Sequence, residues 1–272
     1  MGGGASKMIR NTVYAGTWYP STKKEIEEFI VKSAKKQKAK AVFCPHAGWA
    51  YSGKIAGEVF SSIEPAKLYI IIGPNHHGTG APVGVWNSGA WHTPLGPLEI
   101  DEVTAESIIR LSGFAREDTL SHAREHSIEV QLPFIKYFNR DAMIVPISLS
   151  DYSPKTCKRL GEAIAETVKE RNLSDSTVLV ASTDMSHYVS AAYAEKADSL
   201  AIDRILELDP AGLIKTVEEH KISMCGSGPA AAVLWGAKGL GASKAKLIRY
   251  TTSGEVSGDN NEVVGYAGIV VY

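Results

Sequence analysis

The feature that most constrains the fold of this sequence is a set of four short apolar segments, which alternate along the chain with stretches of helical character. They are AVFCP (41–45), KLYIIIGP (67–74), AMIVPISL (142–149) and TVLVAST (177–183). Short apolar runs that end at proline or polar residues are typical of strands buried on both faces, as in parallel sheets. Because a helical stretch separates the first two, they are predicted to lie parallel in one sheet.

Helices are predicted between and after these strands, and two more strands at the C-terminal end. The predicted helices cover 22–38, 52–63, 101–111, 126–138 (kinked at Pro133), 154–171, 190–208, 210–220 and 227–239, and the strands cover 244–252 and 263–272. Residues 81–100, rich in Gly, Pro and Trp, are expected to form short strands and turns outside the main sheet. The chain is therefore predicted to be a single α/β domain with a mixed, partly parallel sheet flanked by helices and an antiparallel C-terminal edge.

Composition argues against several classes of function. With 272 residues, 44% hydrophobic and a net charge of −1, the chain shows no basic excess for nucleic acid, and no apolar run is long enough for a membrane span. Residues 1–8, MGGGASKM, lack the apolar core of a secretion signal and are expected to be a disordered leader before one domain at 9–272. The odd number of cysteines, three, favours free thiols in a reducing cytoplasm.

Residues with metal-binding or acid–base chemistry follow three of the predicted strands. His46 comes directly after AVFCP, the pair His76 and His77 follows IIIGPN, and Asp184 and His187 follow VLVAST. In an open α/β sheet, ligands bind beyond the carboxyl ends of the strands. These side chains are therefore expected to converge on one site.

Local sequence leaves the roles of the adjacent histidines and of the cysteines open. Side chains alternate along an extended chain, so one of His76 and His77 should face the site, without the chemistry deciding which. Cys225 precedes a predicted helix start, where the helix dipole favours the thiolate; the alternative is a small buried apolar residue. Cys44 and Cys157 are better explained by burial, since they lie in a predicted strand and a predicted helix. The nucleophile elbow of α/β-hydrolases and the common nucleotide-binding motifs do not occur.

Six motifs in order along residues 15–229 resemble the Memo family, whose prokaryotic members are called AmmeMemoRadiSam system protein B. They are AGTWYP, PHAGWAYSG, GPNHHG, EHSIEVQLPF, STDMSHY and CGSGP. The resemblance implies a fold related to the class III extradiol dioxygenases of the LigB type, which bind iron through two histidines and a carboxylate. It implies a metal site of His46, His76 and Cys225, with His126, Asp184 and His187 lining the same cleft as candidate catalytic residues. It also implies an association with a radical S-adenosylmethionine enzyme.

Three functions are compatible with this reading. The first is a redox-active mononuclear centre, with Fe(II) preferred and copper as the alternative, that activates O₂ or a small-molecule or peptide ligand bound in the cleft. In it, His126 or His187 would be the acid–base group and Asp184 would orient it. The second is a non-enzymatic module that binds a peptide or an anion in the cleft. The third is a zinc-dependent hydrolase, with Asp184 or His187 as the base.

Overall fold

The computed structural model describes residues 8–31 and 36–272. The strands are β1 (Ile9–Arg10), β2 (Ala41–Cys44), β3 (Leu68–Pro74), β4 (Val83–Val85), β5 (Ala90–Trp91), β6 (Leu98–Ile100), β7 (Arg116–Glu117), β8 (Met143–Leu149), β9 (Thr177–Ser182), β10 (His187–Val189), β11 (Ala245–Thr252) and β12 (Val263–Val271). The helices are α1 (Lys23–Glu27), α2 (Trp49–Ser62), α3 (Glu102–Ser112), α4 (Leu132–Phe138), α5 (Pro154–Glu170), α6 (Ala191–Leu206), α7 (Pro210–Glu219), α8 (Ser227–Gly239) and α9 (Gly254–Ser257).

One mixed sheet organises the described chain, in the order β1-β5-β6-β8-β3-β9-β2-β12-β10. From β6 to β2 all neighbours are parallel, whereas β12 runs antiparallel to β2, β10 and β11. Helix α5 packs on α8, α8 packs against β9, and α2 packs against β12 and β2. The predicted α/β class, the parallel central strands and the antiparallel C-terminal edge are thereby confirmed.

The central strands form the core because nearly every side chain on them is apolar. All residues of β2, β3 and β9 are buried, including the three isoleucines at 70–72, which are fully inaccessible. Burying one such side chain stabilises the fold by about 1.5–3 kcal/mol. The parallel strands all end at the same edge of the sheet, so the residues that follow them are brought together there.

Three expectations about local structure differ from what is observed. The helix predicted at 22–38 ends at Glu27 and is followed by a turn that includes Phe29 and Ile30. Residues 32–35 lie outside the described part of the chain. At residue 37 the backbone forms hydrogen bonds with the end of α2 instead of continuing a helix. The segment 126–138 is a short 3₁₀ helix (Glu129–Gln131) followed by α4, and Pro133 lies in the first turn of α4. Strands within 81–100 extend the main sheet through β6 and β8 instead of leaving it.

Of the predicted leader, 1–8, all but Met8 falls outside the described residues. The Met8 carbonyl accepts a hydrogen bond from the Ala90 amide, next to the pairing of β1 with β5. Across the described residues, every helix is too short or too polar to cross a bilayer.

Candidate metal centre

Three histidines from separate segments meet at the carboxyl edge of the parallel strands. His46 follows β2, His76 follows β3, and His126 precedes the 3₁₀ helix. One ring nitrogen from each lies within 4.8 Å of one from each of the others. Imidazoles this close can bind a single ion after small side-chain movements, since a metal–nitrogen bond is about 2.0–2.1 Å long.

His46 is held in one tautomer by its neighbours. Its Nδ1 lies 3.1 Å from Ser182 Oγ, which also accepts from Gln131 Nε2 and donates its only proton to the Ser127 carbonyl. Nδ1 must therefore carry the proton and donate it, which leaves the lone pair on Nε2. Burial and the adjacent His76 lower the pKa of His46 to about 3, so the ring is neutral at physiological pH.

His76 is fixed by Glu125. The carboxylate accepts from His76 Nδ1 at 2.9 Å through one oxygen and from the His76 amide at 2.8 Å through the other. Burial by itself would raise the pKa of Glu125, but hydrogen bonds from His76 and from the Ser127 amide lower it overall, so the group is ionised. A carboxylate that accepts from Nδ1 leaves Nε2 free and makes it a better metal ligand.

The adjacent histidine faces elsewhere. Nε2 of His77 lies 2.8 Å from the Arg124 carbonyl, and its ring is exposed. Of the pair left open by the sequence, the structure therefore places His76 in the cluster and His77 beside it.

His126 is the third imidazole of the cluster. Its Nδ1 lies 3.4 Å from the same Glu125 oxygen that binds His76, and its ring stacks on His76 with 4.7 Å between centroids. Trp18 covers it at a centroid distance of 4.1 Å. Burial, and then the neighbouring His46, lower the pKa of His126 to about 3, so this ring is neutral too. His126, which the resemblance implies as an acid–base group, is thus one of the three histidines whose ring nitrogens are close enough to bind one ion.

Cys225 lies beside His46, with Sγ 3.2 Å from His46 Nε2. It directly precedes Gly226, the N-cap of α8, where a Cβ would come within 2.5 Å of the Thr183 side chain. Only glycine fits there, which lets the thiol reach the cluster. Burial, followed by the charge of Asp184, raises the pKa of the thiol. In the metal-free chain the expectation of a thiolate is therefore wrong, because the cost of desolvation exceeds the effect of the helix dipole.

Asp184 and His187, the other predicted catalytic residues, lie at the border of this cluster. Asp184 Oδ1 accepts from the amides of His46 at 2.7 Å and Ala47 at 3.3 Å, while Oδ2 lies 4.0 Å from His46 Nε2. Burial raises the pKa of this carboxyl. His187 Nδ1 contacts the Ser223 carbonyl at 2.8 Å, so its proton is on Nδ1 and Nε2 is unprotonated when the ring is neutral. Among the described residues, the group of mutually close metal-binding atoms contains neither His187 nor Cys225, whose thiol lies close to His46 alone.

Sequence reasoning missed three residues that shape the centre: Glu125, Ser182 and Trp18. Glu125 was visible as the acid that directly precedes His126, and Ser182 as a hydroxyl at the end of β9. Trp18 lies in the AGTWYP motif, far in sequence from the histidines. Nothing local indicates the contact between Trp18 and His126, because it arises only when the segment after β1 is placed against the sheet.

A parallel sheet that gathers three imidazoles at its carboxyl edge, with a thiol beside one of them, defines an α/β protein with a candidate mononuclear metal centre. The chain belongs to the Memo-like family, whose model matches residues 10–270. It is 39% identical to a MEMO1 family protein of Methanopyrus kandleri, with 97% of this chain and 99% of that protein aligned. A MEMO1 family protein of Thermotoga neapolitana is 39% identical over 97% of this chain and 100% of its own. The family resemblance based on six sequence motifs is confirmed.

Proposed function

We propose that this protein binds one metal ion through His46, His76 and Cys225. The preferred ion is redox-active Fe(II), with copper as the redox-active alternative and zinc as the alternative without redox chemistry. The observation that supports the proposal best is the fixed direction of the ring nitrogens. Ser182 and Glu125 occupy Nδ1 of His46 and His76, so that Nε2 of each ring is left for an ion bound between them. Such pre-orientation of imidazoles by hydrogen-bonded partners is the usual arrangement around metal ligands in proteins.

Cys225 supplies the softest donor of the set. Its thiol lies 3.2 Å from His46 Nε2 and can donate its hydrogen to that nitrogen in the metal-free state. An ion that replaces this proton would bind both atoms. Imidazole and thiolate donors together suit iron, copper and zinc better than magnesium or calcium. Three protein ligands leave coordination positions open for a substrate.

The remaining residues have roles in positioning and proton transfer. A bound iron or copper ion would supply electron transfer or oxygen activation, and the chain would supply the surroundings. Asp184 fixes the loop that bears His46 through the two amides it accepts from. His126, neutral and with Nδ1 turned towards Glu125, offers Nε2 as a proton acceptor to a substrate bound in the cleft. His187 offers its Nε2 in the same way.

The test is metal analysis of protein purified without oxygen, followed by calorimetric titration of metal-free variants. His76→Ala should lose stoichiometric binding, and the matched control His77→Ala should keep it, since His77 faces the Arg124 carbonyl. Loss in His77→Ala with unchanged affinity in His76→Ala would refute the assignment. Iron or copper in the purified protein favours the redox centre, and zinc favours the hydrolase. An intact fold that takes up no metal would favour the peptide- or anion-binding module.

A further inference from the structure

A groove of about 480 Å³ lies next to the histidine cluster and has no role in the proposed metal site. We call it the Trp18 groove; it is lined by residues 16–21, Glu25, Glu28, Phe29 and residues 48–51. Trp18 belongs to both features, because it lines the groove and covers His126 at 4.1 Å. The α2 end of the groove begins two residues after His46. The groove and the cluster are therefore adjacent, with Trp18 as the residue between them.

The lining of the groove combines aromatic rings with negative charge. Trp18, Phe29 and Tyr51 contribute rings, and Glu25 and Glu28 contribute exposed carboxylates. None of the lining residues that the structure describes is basic. Aromatic faces together with carboxylates attract ammonium and guanidinium groups, while their alkyl chains pack on the rings.

Buried contacts hold the walls of the groove in place. The Glu129 carboxylate accepts from the Val13 and Tyr14 amides and from the Tyr19 hydroxyl, and these bonds anchor the segment that bears Trp18. On the opposite wall, Phe29 lies so close to α2 that a Cβ on Gly57 would come within 1.9 Å of its carbonyl oxygen. The groove is thus formed before any ligand arrives, which lowers the entropic cost of binding.

The N-terminus of α2 also borders the groove and would by itself favour an anion. Three of its first four amides are already used, since the Trp49 amide donates to the Trp18 carbonyl and the amides of Tyr51 and Ser52 donate to the Gly48 carbonyl. The two carboxylates therefore decide the sign of the charge that the groove prefers.

We propose that the Trp18 groove binds an alkylammonium or alkylguanidinium group, such as a basic side chain, and so selects cationic ligands for the neighbouring centre. The inference rests on the proposed function only for the reaction that the bound ligand would undergo at the metal centre. Binding itself needs no metal, so it can be tested in the metal-free protein and can fail independently of the metal site.

The test uses n-butylguanidinium and n-butylammonium as probes, with pentanol and pentanoate as uncharged and anionic controls. The Trp18 indole signal in NMR spectra, assigned by its loss in Trp18→Phe, should shift saturably with the two cations. The double variant Glu25→Gln/Glu28→Gln should weaken this binding on the order of tenfold. Glu27→Gln is the matched control, because Glu27 is an exposed acid on the same helix, paired with Lys23 at 3.6 Å, and does not line the groove.

Three outcomes would overturn the inference. Pentanol or pentanoate could bind as tightly as the cations, or Glu27→Gln could weaken cation binding as much as the double variant does. The third outcome is no saturable shift of the indole signal below about 50 mM probe, a limit that corresponds to negligible affinity. Metal titration of the double variant separates the two proposals. If the double variant loses cation binding but keeps its metal affinity, the two carboxylates act in the groove alone. If the protein binds the cations but takes up no metal, only the proposed function is refuted.

Discussion

Two polar clusters meet at Glu125, and they differ in how completely their polar atoms are satisfied. The Arg10–Glu129 cluster is buried, whereas the histidine cluster is buried only at His46 and opens towards solvent at His76. In the Arg10–Glu129 cluster, the guanidinium donates to Glu129 at 2.6 Å and to the carbonyls of His122 and Glu125. Glu129 in turn accepts from two amides and a hydroxyl. In the histidine cluster, no described residue donates to Nε2 of His76 or His126. A satisfied cluster stabilises the fold, whereas convergent lone pairs without donors indicate a ligand site.

The largest expected effect breaks the satisfied cluster. Glu129→Ala should lower the free energy of unfolding by about 3–5 kcal/mol, because it leaves the buried Arg10 guanidinium without its counter-charge. Urea unfolding monitored by circular dichroism measures this. His76→Ala in the metal-free protein is the contrasting variant and should cost about 1 kcal/mol or less, as expected at a partly exposed residue. Equal losses in both variants would remove the distinction between the clusters.

A smaller effect is expected at Glu125, which borders both clusters. Glu125→Gln should weaken metal binding about 10- to 100-fold, because an amide holds the His76 ring less firmly and makes it a poorer ligand. Calorimetry gives the affinity, and the visible spectrum of the Co(II)-substituted protein shows whether the ligand geometry has changed. Glu117→Gln, at an exposed position of β7, is the control. An unaltered spectrum and affinity in Glu125→Gln would mean that His76 needs no orienting partner.

The count of protons released on metal binding sharpens the assignment of ligands. The pKa of Cys225 is raised, so Cys225 is a neutral thiol at pH 7. His46 and His126 have pKa values of about 3, so neither ring carries a second proton that an ion bound at Nε2 would displace. Binding through Cys225 should therefore release about one proton, and affinity should rise with pH until the thiol ionises. Calorimetry in two buffers of different ionisation enthalpy measures the number. Release near zero, unchanged in Cys225→Ala, would favour three histidines as the ligand set.

The smallest effect is expected in a catalytic assay. Protein loaded with Fe(II) in the absence of oxygen should show no sustained cleavage of catechols when oxygen is admitted. The sequence resemblance implies that Cys225 stands where extradiol dioxygenases have a carboxylate, and a thiolate is itself oxidised to sulfenic and sulfinic acids. Oxygen uptake and the absorbance of ring-opened product are the measurements. Multiple turnovers by the unaltered protein would contradict this expectation.

Much of the fold was accessible from the sequence because apolar runs and helical spacing report burial directly. The strands at β2, β3, β8 and β9 and the later helices were predicted to within a few residues. The helix at 22–38 failed because pairing of residue 37 with the end of α2 overrides local propensity. At the site, strand ends indicated His46 and the pair His76 and His77, and only the family resemblance selected His76. The contacts of Glu125 with two rings and of Trp18 with His126 could not be predicted, because they join distant segments.

The sequence distance between the proposed ligands has a consequence for assembly. His46 and Cys225 are 179 positions apart, and His76 lies on a third segment. In the unfolded chain these donors meet only at a large entropic cost of loop closure, so the complete site exists only after the sheet has formed. An ion that binds there stabilises the native state by mass action and closes a loop through most of the chain. Metal binding would thus be a late step that follows folding, and protein without bound metal would unfold and be degraded more readily.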